Sequence, residues 1–204
     1  MFHAKEYFLS RWKNKPSIDL KAQTNCGQPL RRRLSERTNE MMKIEAEHIN
    51  PFLQAAIKVI NQIAGIEVRK GHLSYKPKIE PSFGVSIIIG IYGFLTGQIV
   101  YSLDGNLADR LVDKLLEGQS PQQKSIMYLD ALGEVANMIT GNATALLNQK
   151  QDQVLSITTP AIVAGDHLSV QLVSEPALVL GLITQYGPIE ISIAVEENEV
   201  LTED

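Results

Sequence analysis

A single cysteine, Cys26, stands in 204 residues, so no internal disulfide can form and no cysteine-based zinc spacing exists. The four histidines, His3, His48, His72 and His167, are scattered without ligand spacing and give no reason to expect a metal. Aromatic residues make up only 6%, and Tyr75, Phe83, Tyr92, Phe94 and Tyr101 fall in strand-like segments. They read as core rather than as a base-stacking platform. Long apolar runs are missing too. The longest, Val85 to Tyr92, is far too short to cross a bilayer as a helix. Met1 to Leu20 carries charges throughout and lacks the apolar stretch of a secretion signal. A glycine-rich phosphate loop, a tandem repeat and a low-complexity tract are all absent. These gaps predict a cytoplasmic protein without membrane insertion and without a metal of its own.

What is present is an ordinary globular composition, 44% hydrophobic and 21% charged. The net charge of −4 gives no global reason for nucleic-acid binding. It is unevenly spread. Residues 1–41 carry nine basic residues against four acids, a balance of +5, and residues 42–204 carry −9. The basic segment contains no recognisable binding motif. It reads as an N-terminal extension, disordered or the product of an early start with Met41 or Met42 as the true one. Residues 42–204 then form the folded domain.

From residue 49 the apolar pattern is helical. Ile49, Phe52, Leu53, Ala56, Ile57, Ile60 and Ile63 recur at three- and four-residue steps, with Asn50-Pro51 as the expected start and Gly65 as the stop. Strands are expected at 67–79, Val85–Ile91 and Leu95–Leu103, the last two separated by a turn at Tyr92-Gly93. Asp104 caps a short helix ended by Gly118. Ser120-Pro121 opens a longer one that runs to about Lys150. Val154–Thr159, Leu168–Val173, Leu178–Gln185 and Ile189–Val195 read as further strands. The order predicts an α+β fold, a largely antiparallel sheet packed on one face with two long helices.

On the long helix, Leu132, Val135, Ile139, Ala143 and Leu146 cluster on one side of a helical wheel. Asp130, Glu134, Asn137 and Gly141 fall on the other. Glu134 and Asn137, three residues apart, project side by side. A carboxylate can pair with a lysine, and an amide can hold a water through one donor and one acceptor. Gly133 and Gly141 flank Asn137 by about a turn on either side, and each costs a helix interior about 1 kcal/mol relative to Ala. Either another protein's backbone approaches there or the helix packs closely within its own fold. Asn142-Ala143-Thr144 fits a glycosylation sequon, but its place on the helix leaves it idle.

Asp130-Ala-Leu-Gly-Glu134-Val-Ala-Asn137, followed after twenty-two residues by Pro160, resembles the active-site signature of the CheC/CheX/FliY phosphatases. The runs Gly133 to Gly141 and Ile157 to Gly165 look like the CheX branch in particular, and the likeness extends over about Met42 to Val195. Relatives of the CheC type carry two such signatures. Here the first helix has Gln54, Ala55, Lys58 and Asn61 without a matching Glu/Asn pair, so one site is expected.

The resemblance implies hydrolysis of the aspartyl-phosphate of a CheY-type response regulator, ending a chemotaxis signal. In that case Asn137 would orient the attacking water and Glu134 would pair with a lysine of the partner. Asp130, Gly133 and Gly141 would shape the contact surface, and Pro160 would fix a loop beside the helix. The chain would need no cofactor, because the Mg²⁺ would belong to the response regulator. A homodimer is implied as well. The alternative function is a non-enzymatic interaction module of the flagellar switch on the same fold.

Overall fold

The computed structural model describes residues 48–76, 83–149, 154–165 and 177–198. The basic extension 1–41 and the expected strand Leu168–Val173 lie outside the described residues. The first described helix, α1, covers residues 48–64. Ile49, Phe52, Ala55, Ala56, Val59 and Ile60 form its buried face, while Ile57 is 36% exposed and belongs to the wet side. Asn50 is already helical, so it is not the cap. The helix needs that earlier turn to bring Ile49 onto the core. Gly65 ends α1 at φ +64, a conformation that only glycine adopts freely, with its N–H on Asn61 O at 2.8 Å.

The strands are β1 (Arg69–Lys76), β2 (Val85–Tyr92), β3 (Leu95–Leu103), β4 (Ser156–Ile157), β5 (Ala161–Ala164), β6 (Ala177–Thr184) and β7 (Gly187–Glu197). They form one sheet in the order β1-β6-β7-β3-β2-β4, with β5 also on β2, and every pairing is antiparallel. The expected strand Val154–Thr159 is shorter than its apolar pattern, and β5 follows where a loop was expected. The segment runs along β2, but its ladder is interrupted at residues 158–160. There Pro160 has no N–H to give. Thr158 bridges the gap by donating its N–H to Gly90 O and accepting the Gly90 N–H on Oγ1, both at 2.9 Å.

Helix α2 (Gly105–Leu115) starts at Asp104, whose carboxylate accepts the Asn106 N–H at 2.9 Å. It buries Leu107, Ala108, Leu111 and Val112. The single long helix expected after Ser120 is two helices. α3 (Pro121–Ile126) opens with a capping box between Ser120 and Gln123, and α4 (Tyr128–Asn148) follows after a bend at Met127, φ −92 and ψ 5. Turn hydrogen bonds continue through the bend, from Met127 N to Gln123 O and from Ala131 N to Met127 O, so sequence periodicity does not register it. The cause is packing. α3 buries nothing and is held to α2 by Lys124 on Asp113 at 2.8 Å, whereas α4 must lay ten residues on the fold's interior.

Alternation along the strands separates the two sheet faces. Ile87, Ile89, Ile99, Tyr101, Leu180, Leu182, Ile189 and Ile191 join the buried residues of α1, α2 and α4 in one core. Helices α1, α2 and α4 therefore share one face of the sheet. Tyr101 and Thr140 pin α4 to it, their hydroxyls 2.7 Å apart at zero exposure. Thr140 donates to Ala136 O at 2.8 Å, which leaves Tyr101 as the donor to Thr140. Burial pushes the Tyr101 phenol well above its usual range.

Candidate functional site

Helix α4 carries the site because its two faces have different tasks. Leu132, Val135, Ala136, Ile139 and Ala143 are buried against the sheet, which turns Asp130, Glu134 and Asn137 outward. Asp130 and Glu134 are exposed and Asn137 is half-buried. Residues three apart on a helix have Cβ atoms about 5–6 Å from one another, so the carboxylate and the amide present a single acidic-polar spot. Among the described residues none of these three side chains enters a hydrogen bond or an ion pair, so their polar atoms remain available to an incoming group.

The glycines divide. A Cβ on Gly141 would meet nothing within 4 Å, so the helix surface there is open. A Cβ on Gly133 would come to 3.2 Å from Ile162 Cδ1 and 3.7 Å from Pro160 Cβ. Gly133 is buried, and its lack of a side chain lets the β4–β5 bend close onto α4. Its expected place on the partner-facing surface is therefore corrected. Pro160 does lie in a bend beside the helix, at the point where the β2 ladder is broken.

The other flank of the face is α1. Lys58 Nζ donates to Asn142 Oδ1 at 3.2 Å, and Asn142 Nδ2 donates to Met138 O at 2.8 Å. The Asn142 amide of the sequon is thus engaged in holding α1 to α4. Neither Lys58 nor Ile162 is singled out by a single-helix wheel, because each comes from a distant stretch of chain. Among the described residues no group of three or more Asp, Glu, His or Cys side chains is placed to hold a metal, and no helix is long and apolar enough to cross a membrane.

The family model for "Chemotaxis phosphatase CheX" matches residues 85–182, the stretch from β2 through α4 to β6. A crystallised chemotaxis-type protein from Desulfovibrio vulgaris Hildenborough is 30% identical, with a TM-score of 0.64 over 74% of this chain and 97% of its own. The chain belongs to the CheX family. Another member, the "CheY-P phosphatase CheX" of Thermotoga maritima, is 28% identical over 128 residues, 63% of this chain and 82% of the relative. The CheX of the CheX–CheY–BeF3–Mg²⁺ complex from Borrelia burgdorferi is 28% identical, at a TM-score of 0.62 over 74% of this chain and 98% of that one. The CheX match spans β2, β3, α2, α3 and α4, the elements that build and support the Glu134/Asn137 face.

Proposed function

We propose that this protein hydrolyses the aspartyl-phosphate of a CheY-type response regulator and so ends a chemotaxis signal. The observation that carries the reading is the Glu134/Asn137 pair, held outward by a helix whose opposite face is locked into the core. The helix docks beside the phospho-aspartate. Asn137 accepts one hydrogen from a water and donates to its oxygen, aiming the oxygen in line with the phosphorus. As the P–O(water) bond forms, the P–O(carboxylate) bond breaks, the aspartate leaves as carboxylate, and the water proton departs with inorganic phosphate. Phosphoryl transfer needs little covalent help, so positioning is the main contribution. Glu134 pairs with a lysine of the receiver and fixes the docking geometry. Asp130 shapes the contact surface, and open space at Gly141 admits the partner's backbone. Pro160 seats the β4–β5 bend on Gly133.

The Mg²⁺ that neutralises the phosphoryl oxygens sits on the response regulator, a reading supported by the composition of the Borrelia complex. We place the reaction in the cytoplasm and the protein in a homodimer. Edge-to-edge pairing of strands is one route to it, since β1 at the end of the sheet pairs with β6 alone among the described strands. Light scattering on the purified protein gives the mass that tests this.

The functional test follows phosphate loss from phosphorylated CheY-type receivers with Mg²⁺. Glu134→Ala is expected to raise KM by about tenfold or more, with the rate recovered at high protein concentration, as befits a lost charge-assisted contact. Binding without acceleration by the wild type would favour the interaction-module function instead.

A further inference from the structure

At the bend that precedes the site-bearing helix, two apolar side chains are exposed. Ile126 is 81% exposed and Met127 40% exposed, and nothing in α3 is buried. A short helix that contributes nothing to the core is nevertheless held firmly, by the Ser120/Gln123 capping box and by Lys124 on Asp113. Met127 precedes the site by helical steps. Met127, Asp130, Glu134, Asn137 and Gly141 follow one another at steps of three, four, three and four, which is one line along a helix surface. At 1.5 Å per residue, Met127 is about 15 Å from Asn137 along the axis.

We propose that Ile126 and Met127 are the apolar anchor on which the phosphorylated receiver docks while Glu134 and Asn137 meet its reacting group. This rests on the phosphatase reading of the site. A protein interface of standard size covers about 800 Å² of each partner, a patch about 16 Å in radius. A receiver centred on Glu134, about 12 Å along the axis from Ile126, therefore meets Asn137 and extends over Met127 and Ile126 as well. Acids are depleted from interface cores and methionine is enriched, so Asp130 and Glu134 supply orientation and need an apolar neighbour for affinity. The unbranched Met127 side chain adapts to the surface it meets, and the tethers on α3 present Ile126 already in place. The occupant is the receiver itself, because this patch is continuous with the face that must touch it.

The test uses the full chain and a panel of CheY-type receivers, phosphorylated for turnover and loaded with beryllofluoride and Mg²⁺ for binding. Ile126→Ser and the double variant Ile126→Ser/Met127→Gln are compared with the wild type. The expected result is a rise of about tenfold in Kd and KM, an unchanged kcat at saturating receiver, and an unchanged melting temperature. Ile126→Ser alone keeps the test valid if the double variant loses stability, since α3 buries no residue. A wild type active on a receiver whose Kd and KM are unaltered by Ile126→Ser overturns the anchor and leaves the phosphatase reading standing. A wild type inactive on every receiver overturns that reading and the anchor with it.

Discussion

A Cβ at Gly141 would meet nothing within 4 Å, whereas one at Gly133 would come to 3.2 Å from Ile162 Cδ1, although both glycines sit inside α4. Opposite consequences follow from substitution. Gly141→Ala removes the helix penalty of glycine without a clash, so chemical denaturation should show a gain of about 0.5–1 kcal/mol. The same variant should raise KM for the phosphorylated receiver, because the added methyl group stands where the partner approaches. Gly133→Val should instead lose about 1–3 kcal/mol by overpacking against Pro160 and Ile162. Two phenols make stability fall at alkaline pH. Burial pushes Tyr101 up, and burial together with the adjacent Asp109 pushes Tyr128 up. Both are neutral in the fold and ionise more readily in the unfolded chain, near pH 10. The contribution of these two phenols to stability is therefore complete below about pH 10 and falls as the pH rises beyond it. Denaturation across that range should show Tyr101→Phe with a shallower alkaline loss, at a cost of about 1 kcal/mol near neutrality for the missing hydrogen bond.

At the level of elements, what could be read from sequence depended on how local its cause is. Asp104, Ser120-Pro121 and Gly65 mark helix boundaries through bonds within a few residues, and all three do so in the structure. The break at Met127 has a tertiary cause, the unlike packing of α3 and α4, and the apolar pattern runs through it unmarked. α1 likewise begins before the Asn50 that its sequence marks, because Ile49 is drawn into the helix by the core it fills. Strand β5 was hidden because its residues are largely exposed on one side of β2 and follow a proline that interrupts the ladder. The independence of α3 is testable. Ser120→Ala should cost about 1 kcal/mol locally, and amide hydrogen exchange should quicken in residues 121–126 while α4, locked by its buried face, stays protected.

For the molecule as a whole, an antiparallel sheet with helices on one face was legible because strand alternation and helix periodicity each reveal which side is buried. The Glu134/Asn137 pair was legible because its geometry lies within one helix. Its surroundings were not, since Lys58 is 84 residues from the Asn142 it binds, and Ile162 reaches Gly133 only through the β4–β5 bend. The fold thus supplies a rigid platform, and one amide upon it carries the proposed chemistry. The most direct test is phosphate release from a phosphorylated CheY-type receiver with Mg²⁺, at saturating receiver, for the wild type and Asn137→Ala. The expected result is acceleration by the wild type and a loss of about 100-fold or more in kcat for the variant, with receiver binding retained. An Asn137→Ala protein that bound the receiver and released phosphate at the wild-type rate would contradict it.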